Sequence, residues 1–214
     1  MSEVIKISSA LLVQALQIPA PRAQVHAGPM QAALEVAGIT TELRLAHWLG
    51  QVGHETGRLR YLREIWGPTS AQLRYERALA APWPASPQDA RRPAYARNRL
   101  AYALGNTQAG DGARFKGRGG IQTTGRGNCR RLTQRLRDRL GSGVPNFEGV
   151  PGLLETPEWG WMAAADYWQM RGLNTYADAD DLTTLTRKVN GGTNGLADRQ
   201  AIKSQALAAI LLGG

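Results

Sequence analysis

At 214 residues, with 43% hydrophobic and 20% charged side chains, the chain has ordinary globular composition and is long enough for one well-buried core or two small lobes. These proportions exclude a disordered tail, no apolar run approaches the roughly 20 residues of a membrane span, and a single cysteine, Cys129, excludes an intrachain disulfide framework. A formal charge of +9 calls for an anionic partner, and charge alone does not choose among nucleic acid, a membrane surface and an anionic wall polymer.

The N-terminus MSEVIKISSALLVQALQIPAP is too polar, and too short in apolar length, for a signal peptide, so a product made in a cytoplasm is expected. Ser8–Leu16 reads as a short helix capped by Ser8 or Ser9 and closed before Ile18-Pro19. The stretch PAPRAQVHAGP reads as a link, after which Pro29 suits the first turn of a second helix that Gly38 ends. Thr40 or Thr41 caps a third helix that runs to about Glu55 and is apolar nearly all round, as a core helix should be.

Beyond Glu64 the pattern weakens. Thr69–Leu79 has helical character, Pro82–Pro93 reads as a surface excursion, and Ala94–Leu104 is helical up to Gly105. The stretch of about 65–110 is therefore where a smaller lobe within a single 1–214 domain is expected. Asn106–Gly127 is rich in glycine and reads as an irregular loop whose backbone lies close to something. Helices over Asn128–Leu140, from Pro157 to Gly172, from Asp180 or Asp181 to Val189, and over Ala197–Leu212 complete a mainly α chain.

The third helix ends in His54-Glu55, and Glu64 follows nine residues later. Hydrolysis of a glycosidic bond needs one carboxylic acid to protonate the leaving oxygen and one carboxylate to activate water or attack carbon. Continuous helix would separate the two groups by about 13 Å, too far for either arrangement, so the helix must stop between them, and Gly57 is the expected stop. Apolar Leu49 and Val52 near Glu55 would raise its pKa and suit it to the acid role.

Other patterns fail on their own terms. Gly120–Gly127 has glycines at phosphate-loop spacing but Arg126 and Gly127 where Lys and a hydroxyl residue belong. His54-Glu55 lacks the second histidine of a zinc-protease motif, and Asp178, Asp180 and Asp181 lack the glycine and distal glutamate of a calcium loop, so helix capping accounts for them better. Cys129 reads as a small core residue, and His26 and His47 as structural or exposed. The run Arg126–Arg139 spaces Leu132, Leu136 and Leu140 by four, giving one packed face and one cationic face, the latter either solvated or docked on an anionic envelope.

Three separated stretches, QVGHETGRLRYLRE, FKGRGGIQTTGRGNCRRL and VNGGTNGLADR, occur in an order that resembles glycoside hydrolase family 19, specifically its short phage-lysin branch. The resemblance implies a lysozyme-like helical domain, bilobed with a substrate groove between lobes. It implies that Glu55 is the general acid and Glu64 the general base, and that Thr124 helps hold the attacking water. Gln122 and Asn128 match amides along the sugar-binding groove, while Asn190 and Arg199 match positions that bind sugar or orient the carboxylates. Tyr61, Trp66 and Tyr102 could stack on sugar faces. No metal or organic cofactor is implied.

The chain departs from the family's plant chitinases, whose several cysteines and long loops have no counterpart here. That favours an endolysin cutting β-1,4 bonds of peptidoglycan by inversion, made in a bacterial host cytoplasm, acting on the wall after release, and working as a monomer. The rivals are a chitinase, a single-acid lytic transglycosylase, and a non-catalytic cationic module for cell wall or nucleic acid, for which no specific nucleic-acid motif is recognisable.

Overall fold

The computed structural model of the chain describes residues 5–213; the first four residues of the N-terminal stretch read above for a leader lie outside them. Among the described residues there are twelve α-helices and no strands, only isolated bridges that pair Arg118 with Arg63 and with Thr123, so the fold is mainly α and lysozyme-like. In chain order the helices are α1 (Ser9–Leu16), α2 (Ala20–Ala37), α3 (Glu42–Glu55), α4 (Ser70–Leu73), α5 (Pro87–Arg91), α6 (Arg99–Leu104), α7 (Asp111–Arg114), α8 (Arg126–Leu140), α9 (Pro157–Met170), α10 (Leu173–Asp178), α11 (Leu182–Asn190) and α12 (Leu196–Leu211). No helix among the described residues is long and apolar enough to cross a membrane.

The chain divides into two compact units. The first is built from the N-terminal part to Leu62, Gly119–Ile121 and the part from Thr156 onward; the second is Arg63–Arg118 with Gln122–Glu155. The second unit therefore takes in α8 as well as the 65–110 stretch in which a smaller lobe is expected.

In the first unit α3 is the central helix, with every residue from Leu45 to Gly53 buried. Its Gly50 and Gly53 let neighbours come close: a Cβ on Gly50 would lie 2.9 Å from the carbonyl oxygen of Arg199 on α12, and one on Gly53 2.9 Å from Leu16 at the end of α1. Trp48 of α3 meets Trp168 of α9 edge to face at 5.3 Å, and both are fully buried, each worth roughly 1.5–3 kcal/mol of transfer free energy or more. His26 of α2 accepts a hydrogen bond at Nδ1 from Trp161 Nε1 on α9. Burial holds the His26 pKa below its ordinary value, so the neutral ring that this bond requires is the one the fold favours.

One boundary expected in this unit is overturned. The stretch read as a link is helical, because α2 begins at Ala20 and runs through Pro29. Proline there removes one backbone bond and leaves the carbonyl of Val25 without its helical donor, but Val25 is 57% exposed and water can reach it. Against that cost stands the buried stripe Ala23, His26, Met30, Ala33, Leu34 and Ala37, which packing keeps helical. Elsewhere the caps fall where the sequence indicates, with Ser8, Thr41 and Asp181 each accepting a backbone N–H from the first turn that follows, and Thr156 does the same for the helix that Pro157 opens.

The second unit is made of shorter pieces. Of the helical reading for Thr69–Leu79 only α4 forms, held by a complete capping box between Thr69 and Gln72. Helix α8 buries Cys129, Leu132, Thr133 and Leu136. Burial pushes the Cys129 thiol up to about 12, which makes it an inert core group. Its cationic face is less free than its sequence suggests, since Arg126 and Arg130 are ion-paired to Glu148, Arg126 also to Asp111, and Arg137 donates to the Val144 carbonyl.

Candidate active site

Helix α3 ends on Glu55, and the chain then makes a turn that the sequence only half discloses. Gly57 has φ of 57°, as a helix stop should, but Arg58 and Leu59 follow it at 58° each, so three consecutive residues are left-handed. For a residue with a Cβ that conformation costs roughly 1–2 kcal/mol, and it persists only where its surroundings enforce it. Here Thr56 donates from its hydroxyl to the Val52 carbonyl and accepts from Leu59 N–H, the Leu59 side chain is buried, and Arg58 Nη2 reaches Asp198 at 2.8 Å.

Glu55 does not face the apolar wall that Leu49 and Val52 suggested; those two lie in the core, and the partner of Glu55 is a cation. Arg199 of α12, 1% exposed, donates from Nη2 to Glu55 Oε1 at 2.5 Å, from Nη1 to Gln51 Oε1 at 2.6 Å and from Nε to the Asn194 carbonyl. Gln51 in turn donates to the Thr186 hydroxyl. The guanidinium is thus fixed on three sides, and its carboxylate partner keeps about a fifth of its side-chain surface open. One residue earlier on each helix, His54 Nδ1 and Asp198 Oδ2 lie 2.7 Å apart. Burial works to raise the Asp198 pKa, but the hydrogen bonds from His54 and Arg58 outweigh it and hold the carboxyl below its usual range.

Glu64, in the second unit, is held quite differently. Its backbone N–H donates to the Gly117 carbonyl, Gly117 N–H donates back to Oε2 at 3.0 Å, and the Gln72 amide donates to Oε1 at 2.9 Å. Gln72 is buried and its oxygen accepts the Thr69 N–H of the capping box, so α4 presents the amide in a fixed direction. Burial, and then the charge of Glu64, push the Tyr75 phenol above its ordinary pKa.

No family model matches the sequence. The chain is 32% identical over 177 residues to a glycosyl hydrolase family 19 domain-containing protein of Haemophilus influenzae, a match covering 79% of this chain and 82% of that one. The chain belongs to glycosyl hydrolase family 19. Family 19 membership supports glycoside hydrolysis as its class of activity.

The other positions picked out by the family 19 resemblance differ in how free they are. Thr124 is half-buried, just before α8, and its hydroxyl makes no hydrogen bond among the described residues. Gln122 is exposed and lies against Gly117, where a Cβ would come within 2.3 Å of its Oε1. Asn128 has both ends of its amide engaged, donating to the Thr124 carbonyl and accepting from Arg131. Asn190 is exposed at the end of α11, and Arg199 is wholly occupied by protein. Among the aromatic candidates, Trp66 packs on Tyr75 and Tyr102 on Trp83, while Tyr61 is 48% exposed.

Sequence reasoning missed Gln51, His54 and Asp198 around Glu55 in the first unit, and Gln72 and Gly117 around Glu64 in the second. The pattern Thr69-x-x-Gln72 is a capping-box signal that marks where Gln72 turns inward. For the others no local signal exists, because their partners come from distant parts of the chain.

Proposed function

We propose that this chain is an endolysin-type hydrolase that cleaves β-1,4 bonds between the amino sugars of bacterial peptidoglycan by single displacement, with Glu55 as general acid and Glu64 as general base. The observation that carries the reading is the asymmetry between the two carboxylates. Glu55 has one oxygen committed to Arg199 and, among the described residues, an Oε2 without a partner that can carry and deliver a proton. Once the proton has left, the fixed guanidinium stabilises the carboxylate that remains, so the interaction strengthens as the reaction proceeds. Glu64 accepts on both oxygens, as an ionised carboxylate does, and retains lone pairs with which to take a proton from water.

In this reading the unpaired Thr124 hydroxyl helps hold the attacking water, and the exposed amides of Gln122 and Asn190 bind sugar. Asn128 and Arg199 act through protein contacts, Arg199 as the residue that positions Glu55. The charge of +9 supports an anionic wall as the substrate's setting, reached from the host cytoplasm after release, with the enzyme working as a monomer.

Parallel digestion of purified peptidoglycan and chitin, with the new ends identified by mass spectrometry, tests the substrate. Reducing amino-sugar ends from peptidoglycan are expected; ends from chitin alone would make it a chitinase, and anhydro ends a transglycosylase. Inversion requires carboxyl groups roughly 6.5–9.5 Å apart and an α anomer as first product, which a proton NMR time course on a soluble oligosaccharide resolves. A first-formed β anomer would remove Glu64 from the base role.

A further inference from the structure

Helix α4 has two occupations. Through Gln72 it holds the carboxylate of Glu64, and with Ser70, Leu73 and the following Arg74 it lines a cavity of about 820 Å³ that lies wholly within the second unit. That size falls within the roughly 300–1,000 Å³ of ordinary ligand sites. The opposite lining comes from Pro93 to Arg97, a segment that the chain order alone does not connect with Glu64.

The chemistry of the lining is specific. Arg74 and Arg97 are exposed, and neither guanidinium has an ion-pair or hydrogen-bond partner among the described residues, whereas other arginines of this unit, such as Arg118, Arg126 and Arg130, are paired to carboxylates. The acidic residue in the lining, Glu76, is already turned to protein: its Oε1 accepts the Ala113 N–H at 2.8 Å, and its side chain rests on Gly112 where a Cβ would come within 2.7 Å. Apart from these and Ser70 the lining is apolar, supplied by Leu73, Ala78, Pro93, Ala94 and Ala96. A ligand that fits has carboxylates for two cations and methyl-sized side chains for the apolar lining. A polyphosphate backbone would leave the apolar part uncovered, and a neutral sugar would leave both charges unmatched.

Resting on the peptidoglycan reading, we infer that this cavity binds the acidic, alanine-containing peptide that branches from the glycan strand. Arg74 and Arg97 pair with its carboxylates, beside the helix whose Gln72 holds Glu64. The cavity is then a specificity device: it rewards strands that carry peptides and is indifferent to bare amino-sugar polymers.

Two measurements on the full chain test this. Isothermal titration with an alanine-containing tetrapeptide bearing two free carboxylates should show binding. The same peptide with its carboxyls amidated should not bind, and the variant R74E/R97E should bind the acidic form at least about tenfold more weakly, a loss near 1.4 kcal/mol. No binding by the unsubstituted chain, or equal binding by the variant, overturns the proposal. In steady-state assays R74E/R97E should lose about tenfold in kcat/KM, through KM, on peptide-bearing strands, and change little on strands stripped of peptide by an amidase. Equal loss on both also overturns it. If neither strand is cleaved by the unsubstituted chain, the hydrolase reading fails while the titration still decides what the cavity binds.

Discussion

His54 and Asp198 lie 2.7 Å apart in a hydrogen bond, and the residues that follow each of them, Glu55 and Arg199, form an ion pair beside it. The two adjacent pairs fix the register of α12 on α3, because a one-residue slip would set Glu55 against Asp198. Asp198 also holds Arg58, and so clamps both sides of the left-handed turn that leaves Glu55. Asp198→Asn keeps the shape and removes the charge. We expect it to lower the melting temperature by roughly 2–4 °C per kcal/mol lost and to reduce kcat more than it raises KM. A variant with unchanged kcat would show that the turn needs no clamp.

Glu55 and Arg199 should part company on substitution. Glu55→Gln retains a hydrogen-bond acceptor for the guanidinium and should cost at least about 100-fold in turnover with little change in thermal stability. Arg199→Ala empties a fully buried position and leaves Gln51 and Glu55 without their shared donor, so a loss of about 3–5 kcal/mol is expected together with the activity. A stable, folded Arg199→Ala with full turnover would mean that the pair neither supports the fold nor positions the acid.

Gly120 separates two accounts of the glycine-rich stretch. The sequence suggests only a backbone lying close to something, which a sugar chain would satisfy, yet a Cβ on Gly120 would sit 2.2 Å from Cζ3 of Trp161, so this glycine is required by the core. Its N–H donates to the Gly160 carbonyl on α9, which pins the segment there. Gly120→Ala should destabilise by about 3 kcal/mol or more, because Trp161 is fully buried and has nowhere to move. Urea unfolding checks this; a change below about 1 kcal/mol would return the position to the ligand account.

How much was legible follows from where each signal resides. Glu55 at a helix end, Gly57 as the stop, and the caps Ser8, Thr41 and Asp181 are local matters of spacing and capping chemistry, and each was readable. The continuity of α2 through Pro29 was not, since it depends on a buried stripe packed on α9, about 130 residues away along the chain. The surroundings of Glu55 were misread for the same reason: Leu49 and Val52 are its neighbours in sequence, but Arg199 is its neighbour in space. Nothing local distinguishes Arg58 and Leu59, ordinary residues forced to positive φ by contacts with Asp198 and the core.

Acid should act through Glu148. Its hydrogen bonds from Arg130, and then from Arg126, outweigh burial and take its pKa from 4.5 to about 2. A carboxyl depressed on folding contributes stability that is fully present above the unfolded value and is lost as pH falls from 4.5 through about 2. Much of that is screened by solvent, so we expect Glu148→Gln to cost only about 1 kcal/mol near neutral pH. The cost should shrink across the acid window, and the two melting curves should converge near pH 2. Parallel curves down to that pH would mean that Glu148 is not coupled to folding.

The last expectation concerns how Glu64 is held. Of its two donors one is the Gly117 backbone, which substitution cannot remove without a Cβ meeting Gln122, and the other is the Gln72 amide, which it can. Gln72→Met keeps volume and apolar contact while removing the donor, and it also opens the capping box of α4, worth about 1 kcal/mol. If the amide only stabilises α4, activity should follow the fraction folded and recover at lower temperature. If it positions the base, kcat should fall by about 10- to 100-fold in fully folded protein with KM nearly unchanged. Gln72→Glu sharpens the choice, because a negative charge beside Glu64 makes a proton harder to remove from it and should move the acid limb of the pH–rate profile upward. An acid limb that stays in place in that variant, with kcat intact in Gln72→Met, would remove Gln72 from the mechanism.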